Sequence, residues 1–173
     1  MKARDESTAL AYIARLVAHR PRTVAEVEQR LAGKGFPPDV VRTALATAQR
    51  AGVLDDALFA RLYAEDRLLS RPCARSILDR ELRDRGVDPA LAAHAAGAAL
   101  PELTERDLAR RALIARLPLW ERLDPKVALN RAAAFLLRRG FAPSLAKAII
   151  EETLPMGRSL TAEHAENAAE ATE

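Results

Sequence analysis

Few side chains in this 173-residue chain are of types that do covalent or metal chemistry, and none has the spacing for it. His19, His94 and His164 are isolated, with no second His or Cys at ligand spacing, so they do not compose a zinc site. Cys73 is the only cysteine; it follows Pro72 with no thiol-nucleophile motif around it and cannot form an intrachain disulfide. Gly33-Lys34-Gly35 is too short for a phosphate loop and has no strand before it. Asp55-Asp56 offers two adjacent carboxylates, but acids at the start of a helical stretch serve more simply as caps facing the helix dipole. No acid, base and nucleophile converge. The expectation is a protein that is not an enzyme, with no cofactor and no metal.

What remains is the chemistry of arginine. Lys and Arg total 27 against 24 acidic residues, a net of +3. Residues 155–173 hold Arg158 against Glu163, Glu166, Glu170 and Glu173, so the body up to residue 154 carries 26 basic and 20 acidic residues, a net of +6. A basic body suits nucleic acid or an acidic protein groove. An Arg- and Ala-rich composition also leaves many arginines simply solvated. Arg75, Asp79 and Arg83 stand at i, i+4 and i+8 and share one helix face, with Arg80 and Arg85 near it. Lys34, Arg85 and Arg139 each precede a glycine, where a cation favours the C-terminal helix dipole whatever the function. Arg75 and Arg83 sit earlier in their helix, outside that explanation.

The elements that must position these groups announce themselves by repetition. The chain reads Leu31-Ala32-Gly33-Lys34-Gly35-Phe36-Pro37-Pro38, then Leu82-Arg83-Asp84-Arg85-Gly86-Val87-Asp88-Pro89, then Leu136-Leu137-Arg138-Arg139-Gly140-Phe141-Ala142-Pro143. Each copy has a Leu four before a Gly, a cation just before it, an apolar residue just after it and a Pro three after. This pattern predicts a helix, a Gly C-cap and a new helix whose first turn accepts Pro. Glycines 51 and 54 residues apart fit one helical repeat unit. Ala, Leu and Arg dominate, Gly is scarce, and no alternating β-branched run argues for strands. The expected fold is all-α: three tandem three-helix repeats over 5–53, 54–101 and 102–154 in an elongated arrangement. The acidic tail 155–173 lacks apolar periodicity and is expected to be disordered.

In the first repeat, Leu10, Ile13 and Val17 form one stripe, Thr23 and Glu26 have capping-box spacing, and Val41, Ala44, Leu45 and Ala48 face a core. In the second, Leu58, Phe59, Leu62 and Tyr63 are expected to be the buried stripe of the helix opened by Asp55-Asp56. In the third, Thr104 with Asp107 again suggests a capping box, and Asp124-Pro125 an N-cap followed by the first helical residue. Leu31, Leu82 and Leu136 should be buried at equivalent places. The N-terminus has no signal-peptide apolar region and no apolar run could span a bilayer, so a soluble, cytoplasmic protein with no membrane contact is expected.

Four segments, in order, resemble the RecX family, small helical regulators of the RecA recombinase. Gly52-Val53-Leu54-Asp55-Asp56-Ala57-Leu58-Phe59 is similar to the family's Gly-x-Leu-Asp-Asp-x-x-Phe signature, followed at Arg67 by its downstream Arg. Leu78-Asp79-Arg80-Glu81-Leu82-Arg83-Asp84-Arg85-Gly86-Val87 resembles its Ile-x-x-Glu-Leu-x-x-x-Gly-Ile segment. Phe135-Leu136-Leu137-Arg138-Arg139-Gly140-Phe141 resembles its Phe-Leu-x-x-Arg-Gly-aromatic segment, and Thr23-Val24-Ala25-Glu26-Val27 with Leu31 its Ser-x-x-Glu-Leu-x-x-x-Leu start. The resemblance spans about residues 8–154. One departure is that Ala74-Arg75 stand where the family usually has Gly-Pro.

The resemblance implies tandem three-helix repeats, no catalysis, and binding in the groove of the RecA filament on single-stranded DNA. It further implies suppression of RecA's ATPase, strand-exchange and coprotease activities, and hence a place in DNA repair, recombination and the SOS response. Leu54, Asp55, Asp56, Phe59, Glu81, Leu82, Gly86 and Gly140 are then its structural motif residues. Candidate contacts to partner or DNA are Arg75, Arg80, Arg83, Arg85, Arg138 and Arg139, because aligned repeats would set their helices side by side as one basic strip. A monomer that also binds DNA weakly and without sequence preference is expected. Two alternatives stand beside this reading: a sequence-nonspecific DNA-binding helical regulator and a helical scaffold for another protein partner. Against a sequence reader, the post-turn helices open Asp39-Val40-Val41, Pro89-Ala90-Leu91 and Pro143-Ser144-Leu145, with no Arg, Asn or Gln for base edges.

Overall fold

The computed structural model describes residues 4–154, so the expectation for the tail 155–173 lies outside the described residues. Within them the chain is helical, without strands: α1 Glu6–His19, α2 Val24–Gly33, α3 Pro38–Arg50, α4 Asp56–Ser70, α5 Arg75–Asp84, α6 Pro89–Ala98, α7 Glu105–Ile114, α8 Pro125–Arg138 and α9 Pro143–Thr153. A short 3-10 turn at Leu117–Leu119 follows α7. None of these helices is long and apolar enough to cross a membrane. They come in three triplets, each with the repeated turn between its second and third helix.

That turn is the same hydrogen-bonded object three times. In the first copy the Phe36 N–H bonds Leu31 O at 3.2 Å and Gly35 N–H bonds Ala32 O at 2.8 Å. Val87 to Leu82 with Gly86 to Arg83, and Phe141 to Leu136 with Gly140 to Leu137, repeat the pair. These are the two bonds of a Schellman cap, which need a left-handed residue at the glycine. Gly35, Gly86 and Gly140 adopt φ of 76°, 81° and 82°. Leu31, Leu82 and Leu136 are all fully buried, as the repeat requires, and Pro38, Pro89 and Pro143 open the following helices.

By contact the chain divides into two compact units, one running to Asp66 and including Leu78–Ala99, the other comprising Arg67–Ile77 and the chain from Leu100. In the first, α1 packs on α3 and α2 on α3 around Ile13, Val27, Leu31, Val41, Leu45 and Leu54. In the second, α9 packs on α7 and α8, burying Leu108, Leu113, Leu136, Ile149 and Ile150.

Three sequence expectations change. Leu58 and Leu62 are 45% and 42% exposed; α4 buries Phe59 as expected, and with it Ala60, Ala64 and Leu68, so its buried stripe runs through two alanines and a later leucine. Thr23 and Glu26 make half a capping box. The Thr23 hydroxyl oxygen accepts from Glu26 N–H, but the Glu26 carboxylate turns to Arg22 and Arg85 instead of the Thr23 backbone. Thr104 and Asp107 do form the complete reciprocal box. Asp55 caps its own helix, accepting from Leu58 N–H, whereas Asp56 accepts from Val24 N–H at 2.9 Å and so caps α2. The aspartates of one motif thus hold two different helices.

Candidate partner-binding surface

The six candidate arginines divide by what their guanidinium groups touch. Arg85, just before Gly86, pairs with Glu26 at 2.8 Å and lies 4.7 Å from the Tyr63 ring centre. Its own carbonyl accepts the Thr23 hydroxyl at 2.7 Å. Tyr63 in turn donates to Glu81 at 2.9 Å, so α2, α4 and α5 are tied by one polar chain. Burial and the bond to Glu81 push the Tyr63 phenol above its ordinary pKa. Glu81 therefore acts as a brace within the fold.

Arg139 donates to Arg71 O at 3.0 Å and Pro72 O at 2.9 Å, satisfying carbonyls past the end of α4. Its backbone carbonyl accepts the Ala74 N–H at 2.9 Å. Arg75 donates to Leu103 O at 2.8 Å and Leu100 O at 3.2 Å, and its backbone N–H bonds the Glu105 carboxylate at 2.9 Å. A proline at that position would lack this N–H, so the Ala74-Arg75 departure has a structural use. Arg75, Arg85 and Arg139 thus do not stand on a free face; each is a clasp. That corrects the expectation that Arg75 and Arg83 share one exposed surface.

Arg80, Arg83 and Arg138 remain exposed. Arg83 pairs with Asp79 at 2.8 Å across one helical turn, and Arg80 has no ion pair among the described residues. Exposed pairs of this kind hold a side chain only weakly and leave it able to exchange partners.

The motif residues are all placed in the scaffold. Leu54, Phe59 and Leu82 are buried. A Cβ on Gly86 would fall 2.3 Å from the Ala25 Cβ, and one on Gly140 would fall 2.4 Å from Ile77. Sequence reasoning did not single out Glu26, Tyr63 or Glu105 as polar anchors, since their partners lie far away in the chain. Among the described residues no group of three or more His, Cys, Asp or Glu could hold a metal ion.

Such an arrangement, helical triplets each built around the same Schellman turn and held by arginine clasps, defines a helical-repeat protein. Residues 9–47 match the family model described as RecX, first three-helix domain, and residues 55–95 match RecX, second three-helix domain. The regulatory protein RecX of Amycolatopsis mediterranei is 39% identical over 139 residues, covering 80% of this chain and 79% of its own length. That of Thermobifida fusca is 35% identical over 149 residues, covering 84% and 78%. The crystal structure of RecX from Lactobacillus salivarius superposes with a TM-score of 0.68 at 18% identity, over 86% of this chain and 96% of that one, a likeness of fold. The chain belongs to the RecX family of regulatory proteins.

Proposed function

We propose that this chain is a non-catalytic regulator, acting in the cytoplasm as a monomer, that binds the RecA filament on single-stranded DNA and inhibits RecA's ATPase, recombinase and coprotease activities. DNA repair, recombination and the SOS response are the processes it would restrain. Its working parts are three triplets, 5–53, 54–101 and 102–154. One observation carries the reading: four RecX-like motifs keep family order along a chain 39% identical to a regulatory protein RecX. Arg80 and Arg83 on α5 and Arg138 at the end of α8 are the contacts, because they are the exposed members of the candidate set. Arginine suits the role, offering a planar fork to carboxylate or phosphate.

The test is RecA ATPase on single-stranded DNA with and without this protein. Inhibition is expected, and its absence at saturating protein would refute the reading. Arg80→Ala, Arg83→Ala and Arg138→Ala together should keep helicity and melting unchanged yet weaken inhibition. Full inhibition by that variant would exclude these contacts while leaving the regulator reading in place. Binding to DNA alone should be weak, salt-sensitive and indifferent to sequence, since a body charge of +6 supplies phosphate contacts without base readers. Recovery of a preferred duplex from random oligonucleotides would favour a DNA-binding regulator instead.

A further inference from the structure

The first compact unit exposes a leucine that its neighbours leave uncovered. Leu62 on α4 is 42% exposed, and it lines a cleft of about 300 Å³ with Pro21, Phe59 and Tyr63. The walls are fixed from behind. Tyr63 stacks on the buried Phe59 at 5.8 Å between ring centres, and its hydroxyl donates to Glu81 at 2.9 Å. Arg85, bound to Glu26 at 2.8 Å, lies over the Tyr63 ring. An apolar recess braced in this way receives a side chain without reordering, which removes part of the cost of binding. Two charged groups of the cleft are less committed. Arg20 reaches Glu26 only at 3.6 Å with half its side chain exposed, whereas Arg22 and Arg85 meet the same carboxylate at 3.4 Å and 2.8 Å. Glu26 therefore keeps two cations when Arg20 turns to an incoming carboxylate, and exposed pairs of this kind exchange partners at little cost. Asp66 also lines the cleft; it is exposed and has no ion pair among the described residues.

The lining decides what kind of molecule fits. A volume of about 300 Å³ lies at the lower end of ligand pockets and gives room for one large side chain. Nucleic acid is disfavoured twice. The Asp66 carboxylate repels a phosphate chain, and the Tyr63 ring is already engaged by Phe59 and Arg85 instead of open to a base. An apolar recess that carries one available cation and one available anion complements a protein segment with opposite charges about an apolar side chain.

We propose that this cleft docks a segment of a partner protein in which one apolar side chain is flanked by an acidic and a basic residue. The apolar side chain fills the recess against Leu62 and Tyr63, the acid pairs with Arg20 and the base with Asp66. Neither Arg20 nor Asp66 belongs to the contacts proposed above for RecA, and the site stands whether or not RecA is the partner.

The probes are two short peptides, Gly-Glu-Leu-Lys-Gly and Gly-Lys-Leu-Glu-Gly, with Gly-Ser-Leu-Ser-Gly as the uncharged reference. Each is titrated into the isotopically labelled full chain, and the backbone amides of Leu62, Tyr63 and Arg85 are followed by NMR. One charge order should half-saturate at a concentration about threefold or more below both the other order and the reference. Arg20→Glu with Asp66→Lys exchanges the two charges of the cleft and should invert the preferred order. Arg20→Ala introduces no new charge beside Glu26 and covers the case of an exchange variant that folds poorly; it should reduce the order preference by about half or more. Leu62→Ala should weaken the preferred peptide by about fivefold. Leu58→Ala, on the same helix and similarly exposed at 45% but lining a different cleft, should not. Equal binding of all three peptides, or an order preference unchanged in the folded Arg20 variants, would overturn the site. So would equal losses from Leu62→Ala and Leu58→Ala, or oligo(dT) shifting the same amides as strongly as the preferred peptide, the latter assigning the cleft to nucleic acid. RecA inhibition, measured separately, reports on the proposed function and not on this site.

Discussion

Replacing Gly86 by Ala tests the turn that organises the repeats, because two penalties coincide there and can be separated. Gly86 has φ of 81°, and a Cβ added to it would lie 2.3 Å from the Ala25 Cβ. Carbon atoms in contact prefer about 3.5–4.0 Å, so α2 or the turn must retreat by more than about 1 Å. The left-handed conformation costs an L-residue about 1–2 kcal/mol. Restricting the unfolded chain returns about 0.4–1 kcal/mol. Overpacking adds about 1–3 kcal/mol, so Gly86→Ala should destabilise by about 2–4 kcal/mol. Gly52 is the control. Its φ is 68° but nothing lies within 4 Å of its added Cβ, so Gly52→Ala should cost only about 0.5–1.5 kcal/mol. Urea unfolding followed by circular dichroism measures both. Ala25→Gly removes the obstructing methyl, and in that background Gly86→Ala should cost no more than Gly52→Ala does. Equal losses for Gly86→Ala and Gly52→Ala in the unmodified chain would refute the close approach as the cause.

Leu82→Ala should cost about 2–5 kcal/mol in the same assay, and Leu58→Ala, at a residue 45% exposed, should cost clearly less, about 1 kcal/mol. Of the two tyrosines, Tyr63 should titrate above the ordinary phenol value when absorbance is followed at alkaline pH. A raised folded-state pKa favours the protonated phenol, so this contribution to stability is complete below the ordinary tyrosine value and is lost as pH rises through the raised one; Tyr63→Phe should abolish that loss. Asp107 is held below the usual carboxylate range by the Thr104 hydroxyl and then the Thr104 backbone N–H. Its stabilisation is therefore present above the ordinary Asp value and lost as pH falls through the lowered one, and Asp107→Asn should flatten the acid limb of a melting-temperature profile.

Backbone duties were the legible part of this sequence. A Leu, a Gly four residues on and a Pro three further on leave little choice of conformation, and all three copies became Schellman turns over a buried leucine. Caps formed within one segment were legible too, as at Thr104 and Asp124. The core of α4 was not, because a search for large apolar residues passes over Ala60 and Ala64. Alanine at a helix contact permits close approach, and its burial depends on the neighbour, which the local pattern does not name. The Thr23–Glu26 pair failed for the same reason. Glu26 has Arg85 within reach from 59 residues away, besides the nearby Arg20 and Arg22, and charged partners outcompete a backbone N–H of its own turn.

The cations before the repeated glycines show where periodicity stops informing on function. Lys34 is exposed, Arg85 is committed to Glu26 and Tyr63, and Arg139 to the carbonyls of Arg71 and Pro72. A favourable helix-end charge is common to all three positions and is worth little; the specific bonds, made to residues 59 to 68 positions away, differ at each. An arginine that closes such a clasp leaves part of the fold unsatisfied if a partner recruits it, so its availability for binding carries a cost in stability. Exposed arginines outside the clasps carry no such cost. By that argument the proposed contacts of this RecX-family chain should be sought at Arg80, Arg83 and Arg138, and substitutions there should alter binding while leaving melting unchanged.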